Sequence, residues 1–138
     1  MKTIDMTDKE MASSLSTMPG WRWARGMLFI PRWRDRYTVC RVRDDGWLML
    51  TSEAWGNTLQ WYNPAAGTPA LDCPSTVGHL LDALGEGWSV RHDPDRTTAE
   101  VYTAWCPGIG RGDGSTRARA CADALLKLGR CPGWEVSA

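Results

Sequence analysis

An excess of charge of either sign, phenylalanine beyond a single residue, closely paired cysteines and a long apolar run are all missing from this 138-residue chain. Sixteen Lys and Arg balance sixteen Asp and Glu. That balance speaks against nonspecific binding to duplex nucleic acid, where a basic excess is usual. No apolar stretch approaches the roughly 18 residues that a membrane-spanning helix needs, so no membrane partner is expected. Met1 to Leu15 carries Asp5, Asp8 and Glu10 and has no apolar core of the kind that marks a signal peptide. The cysteines Cys40, Cys73, Cys106, Cys121 and Cys131 lie 33, 33, 15 and 10 residues apart. No Cys-x-x-Cys-like pair is present for zinc, so no metal or cofactor is expected. An odd cysteine count without export features points to reduced thiols in a cytoplasm.

Tryptophan is what the chain has instead: nine against one Phe. From Trp21 to Arg43, Trp21, Trp23, Trp33 and Tyr37 are interleaved with Arg22, Arg25, Arg32, Arg34, Arg36, Arg41 and Arg43. Only Asp35 opposes them, so a neutral total hides a segment with a formal charge of +6. Indole faces beside guanidinium planes suit a base, a nucleotide or a partner's hot-spot side chain. The competing reading is structural: the rings fill the core and the arginine stems cover them. An extended 21–25 segment would place Trp21, Trp23 and Arg25 on one face and Arg22 opposite.

Local signals outline the fold. Thr7 and Glu10 form a T-x-x-E capping box, with Met6 and Met11 in the places of a hydrophobic staple, and Pro19-Gly20 stops the helix. Gly26 to Pro31, Arg36 to Arg43, Gly46 to Thr51 and Thr58 to Tyr62 read as strands, with Asp44-Asp45-Gly46 as a hairpin turn. The successive apolar residues Met27 to Ile30 and Trp47 to Leu50 suggest a sheet covered on both faces. Residues 63–74 read as a linker. Val77, Leu80, Leu81 and Leu84 mark a second helix opened by Pro74 or Ser75 and closed by Gly85. Trp88 to His92 and Thr98 to Trp105 read as a hairpin around Asp93-Pro94-Asp95-Arg96. A glycine-rich loop, Cys106 to Gly114, leads to a third helix with Ala118, Cys121, Ala122, Leu125 and Leu128 inward and Gly129 as its stop. Residues 130–138 form a tail or edge strand. The expectation is one α+β domain over residues 1–138, of order α-βββ(β)-α-ββ-α, its mainly antiparallel sheet covered by helices.

The patches Pro19-Gly20-Trp21-Arg22-Trp23 with Gly26-Met27, Pro74 to Leu81 and Trp88 to Arg91 resemble small accessory proteins of tailed bacteriophages. Gly114-Ser115-Thr116 leading to Ala120 through Leu126 is similar to the last helix of phage ABA-sandwich domain proteins. This resemblance implies a phage or prophage origin and helix–sheet–helix layering, and it implies no catalytic residue. Small phage accessory proteins often counter bacterial immunity, which sets the expected context.

The candidate ligand-binding residues are Trp21, Arg22, Trp23, Arg25, Trp33, Arg34, Arg36 and Tyr37, joined by Arg111, Ser115 and Thr116. The last three flank a glycine-rich segment before a helix N-terminus, where backbone N–H groups suit an anion. That segment is neither a Walker A loop nor a dinucleotide turn. His79 lies within an apolar helix and His92 beside a turn, and neither has a nucleophile beside it in sequence. The expected activity is therefore binding without catalysis: capture of a nucleotide-type molecule in the host cytosol. The alternatives are a protein-directed inhibitor of a host defence complex and a virion or assembly component. A homo-oligomer remains open.

Overall fold

A computed structural model of the protein describes residues 6–31, 36–52, 56–71, 73–92 and 102–135. The expected positions Trp33, Arg34, Val136, the turn 93–96 and the first residues of the strand from Thr98 lie outside the described residues. Among the described residues three helices and eight strands follow the α+β expectation, in the order α1 (Asp8–Ser16), β1 (Leu28–Pro31), β2 (Tyr37–Val42), β3 (Leu48–Ser52), β4 (Thr58–Tyr62), β5 (Gly67–Pro69), α2 (Pro74–Leu84), β6 (Ser89–His92), β7 (Tyr102–Cys106), β8 (Gly110–Gly114) and α3 (Arg117–Leu128). Short 3-10 turns occupy Pro64–Ala66 and Pro132–Trp134.

The capping box forms as the sequence dictates. Glu10 N–H donates to Thr7 Oγ1 at 3.1 Å, and Thr7 N–H donates to Glu10 Oε1 at 3.2 Å. Met11 is buried and Met6 packs against the same cluster, as a staple requires. Pro74 opens α2 and the left-handed Gly129 closes α3.

The strands form two antiparallel sheets. The larger has the order β4-β3-β2-β1-β5 and the smaller β6-β7-β8. Two strands replace what the sequence suggested were connections. Within the expected linker 63–74, β5 pairs with β1, Ile30 opposite Thr68 and Pro31 opposite Gly67. Among the described residues β5 is the edge strand, a position where Pro69 is tolerated. Within the expected glycine-rich loop, β8 pairs with β7 over its whole length, from Tyr102 opposite Gly114 to Cys106 opposite Gly110.

Among the described residues, the two faces of the large sheet are not buried alike. Burial alternates along β1 and β3, so Phe29, Leu48 and Leu50 are inside while Leu28, Ile30 and Met49 are half-exposed. The strands have period-two faces despite their unbroken apolar sequence. In the smaller sheet, Ala104, Gly112 and Gly114 lie against α3, which packs in turn on α1 and α2. A Cβ at Gly112 would stand 2.3 Å from backbone atoms of Ala120 and Ala124, and one at Gly114 2.6 Å from Ala120 N. These glycines set the closeness of strand and helix. Helix therefore covers one face of this sheet, and the other carries the exposed residues Ser89, Arg91, Trp105 and Arg111.

Two core clusters result. One joins the helices to the small sheet through Met11, Leu15, Leu80, Ala120, Cys121 and Leu125. The other lies on the inner face of the large sheet around Phe29, Val39, Leu48 and Leu50. Trp21 and Trp134 pack against both. Arg119 ties α3 to the start of α1, donating to Asp8 Oδ1 at 2.6 Å and to the Met6 carbonyl at 2.7 Å.

A candidate aromatic and cationic cleft

Residues 21–24 run without regular structure between α1 and β1. The expected alternation holds at their centre: Trp21 is half-buried, Arg22 exposed and Trp23 buried. Trp21 meets Trp23 edge-on at a centroid distance of 5.7 Å and Trp134 at 5.3 Å, and Trp23 leans on Phe29 at 4.8 Å. Each such pair adds about 0.5–1.5 kcal/mol beyond area burial. The structural use of these rings is therefore substantial. Trp23 keeps 9% of its surface, and Tyr37, at 4%, belongs wholly to the core. Tyr37 offers no stacking face to a ligand, because β2 turns it to the inner side of the sheet beside Val39.

What remains open is a cleft of about 410 Å³, walled by Ser16, Trp21, Arg22 and Trp23, by Val42, Arg43, Asp44 and Gly46 of the β2–β3 turn, and by Pro64 and Ala65. Trp21 Nε1 is buried and has no hydrogen-bond partner among the described residues. The turn is rigidly built. Gly46 has φ +90°, the left-handed conformation that glycine takes without a steric penalty. Asp45 accepts from Arg43 Nε at 2.9 Å, from Arg43 Nη2 at 2.5 Å and from the Trp47 N–H at 3.0 Å. The Arg43 fork and then the Trp47 N–H hold the Asp45 carboxyl below its ordinary range, and the same bond raises Arg43.

Arg43 also lies over Trp61, with 4.7 Å from its Cζ to the ring centroid. Trp61 has φ +53°, an unusual conformation for a bulky side chain. The β3–β4 register shifts here, from Leu50 opposite Leu59 to Leu48 opposite Tyr62. The additional residue in β4 is a bulge, which re-aims a side chain out of the pleat. Sequence reasoning counted Arg43 with the other arginines but gave it no role in the site, and nothing local marked Trp61. The turn residues Asp44-Asp45-Gly46 were the available signal for Arg43.

The remaining expected residues fall elsewhere. Arg25 is exposed at the turn that ends with Gly26. Arg36 lines a different cleft, of about 730 Å³, between α1 and the β1–β5 edge, together with Lys9, Ile30 and Leu71. Ser115 and Thr116 border an α2–α3 groove of about 570 Å³ with Val77, Leu81 and Tyr102. The Thr116 hydroxyl accepts from the Arg119 N–H at 3.1 Å as the helix cap. Arg111 does not join them. Gly112 and Gly114 face α3, so strand alternation turns Arg111 to the opposite side, where it pairs with Asp113 at 3.0 Å. The two flanks of the glycine-rich segment are thus separate sites.

His92 packs on Tyr102 with ring centroids 4.9 Å apart. Burial pushes the Cys121 thiol up to about 12 and, with help from Glu135, that of Cys131 up to about 11. Among the described residues no group of three His, Cys, Asp or Glu side chains is placed to hold a metal ion. Among them, too, no helix is long and apolar enough to cross a membrane. No protein-family profile, curated protein or solved structure matches this chain.

Proposed function

We propose that this protein acts by binding, and that its ligand is a planar anion of nucleotide type held in the Trp21–Arg43 cleft. The observation that carries this reading is the meeting of two indoles and two guanidiniums around one opening of about 410 Å³. That volume lies in the range of small-molecule sites, about 300–1,000 Å³. Arg22 is exposed and supplies the adaptable cation for a phosphate. Arg43 is held in place by Asp45 and Trp61, so little side-chain entropy is lost when it meets an anion. In the setting implied by the likeness to tailed-phage accessory proteins, the ligand is a nucleotide-type immune signal. The protein then counters bacterial defence by sequestration in the host cytosol, which requires affinity and not turnover.

Isothermal titration and tryptophan fluorescence against linear and cyclic nucleotides test the proposal. A binding nucleotide should quench Trp21 and Trp23, and Arg22→Ala should lower affinity roughly tenfold, the magnitude of one charge-assisted hydrogen bond. A silent panel with unchanged fluorescence refutes it. One observation favours a host defence protein as the target instead: Val42 and Trp47, 41% and 39% exposed, project from the same β2–β3 hairpin. In that case Trp47→Ala would abolish inhibition of the defence complex while nucleotides remained without effect.

A further inference from the structure

The outer face of the small sheet has a composition that its fold does not require. Strand alternation sends Ala104, Cys106, Gly112 and Gly114 inward and leaves Trp105 outward, 41% exposed. A tryptophan at this position keeps a large part of its ring surface open to solvent. It is directly opposite Arg111 across the β7–β8 ladder, where neighbouring strands are about 4.8 Å apart. Arg91 reaches it diagonally from β6, its Cζ 5.7 Å from the ring centroid. Ile109, 62% exposed, sits at the tip of the β7–β8 turn, which is closed by an Ile109 N–H to Cys106 carbonyl bond of 3.1 Å. The ring therefore lies between two cations on an open sheet, with an aliphatic side chain at the nearby turn.

We infer that this face is a binding platform for single-stranded nucleic acid, with one base stacked on Trp105 and the flanking phosphates taken by Arg91 and Arg111. The platform is independent of the Trp21 cleft and uses none of its residues. Stacking suits the partner because every base has a flat face to lay on an exposed indole. The charge arrangement argues in the same direction. Asp113 pairs with Arg111 and also accepts from the Thr103 hydroxyl at 3.0 Å, which fixes the guanidinium beside the ring and offsets part of its charge. Binding is then led by the ring more than by net charge. A duplex hides its base faces within the stack, and an acidic peptide has no planar group for the indole, so both are disfavoured.

Fluorescence anisotropy of a short labelled oligothymidylate or oligouridylate, read on the intact protein, tests the inference. Wild type should bind the single strand in preference to the same sequence as a duplex and to a labelled polyglutamate of equal charge. Trp105→Ala should weaken binding at least about fivefold, the lower end of what base stacking contributes, whereas Trp105→Phe should retain most of it. Arg91→Ala should lower affinity and flatten the dependence on salt by roughly 0.7 in log–log slope. Arg41→Ala, an exposed cation on β2 of the other sheet, should leave this binding unchanged. Equal binding by wild type and Trp105→Ala with the same melting temperature overturns the inference, as does preference for polyglutamate or for duplex, or absence of binding.

Discussion

Replacing Gly112 by alanine tests whether residues 110–114 are a strand pressed against a helix or a mobile connection. The added Cβ would lie 2.3 Å from Ala120 O, 2.3 Å from Ala124 N and 2.7 Å from Ala124 Cβ. Ordinary non-bonded separations start near about 3.4 Å, so α3 would have to retreat by roughly 1 Å. Retreat loosens Ala120 and Ala124, which are 0% and 1% exposed, and stretches the 2.8 Å bond from the Asp113 N–H to Asp123 Oδ2. Overpacking costs about 1–3 kcal/mol, and loss of a hydrogen bond to a carboxylate about 1.5–3 kcal/mol. A total near 4 kcal/mol, with a urea slope of about 2 kcal/mol per molar, lowers the midpoint by about 2 M. Gly108→Ala is the matched control: φ is +73° and nothing lies within 4 Å of the new atom, so only left-handed strain of about 1 kcal/mol applies. Adding Ala124→Gly to Gly112→Ala removes only the side-chain contact and leaves both backbone contacts, so it should not rescue. A Gly112→Ala protein no less stable than Gly108→Ala would refute the packed-strand account.

Thr7→Ala should cost about 1 kcal/mol through loss of the α1 capping box, seen as a lower thermal midpoint. The Asp45 carboxyl is depressed in the fold, so its contribution is present above the ordinary carboxylate value near 3.9 and is lost as pH falls through the lower folded value. Asp45→Asn should therefore flatten the pH dependence of stability below about pH 4, measured by denaturation across that range. Cys121 and Cys131, buried and pushed up to about 12 and about 11, should resist alkylation in the native state at neutral pH, whereas the half-exposed Cys73 should react; mass spectrometry after brief iodoacetamide exposure distinguishes them.

The elements legible in the sequence were those whose cause is local. Thr7 and Glu10 are three residues apart, Pro74 and Gly85 bracket α2, and Asp44-Asp45-Gly46 makes its own turn, so each could be read without a partner. The strands β5 and β8 could not. Gly67-Thr68-Pro69 and Gly110 through Gly114 have residues that isolated strands avoid, and they are strands only through their partners: β1, far back along the chain, for β5, and β7, across the turn at Ile109, for β8. Their glycines are required by close approach: a Cβ at Gly67 would meet the Phe29 ring at 2.4 Å, just as one at Gly112 meets α3. The candidate cleft was half legible. Trp and Arg density drew attention to Trp21 and Arg22, but density does not distinguish Trp23 and Tyr37, which build the interior, from residues left at the rim. Trp61 came to lie against Arg43 through a bulge that no local pattern announced. Trp105 is legible as a strand residue, yet its outward orientation depends on a strand, with Arg111 opposite, lying where the sequence suggests a loop.

The series of ring contacts through Trp134, Trp21, Trp23, Phe29 and Tyr62 crosses from one interior to the other. Trp21 is its pivot, sharing contacts with helices on one side and with the large sheet on the other. A guest that stiffens this indole should slow amide exchange in α3 and β3 together, although neither element touches the guest. The same linkage predicts that heating releases both halves in a single melting event, with one tryptophan signal reporting for the whole molecule.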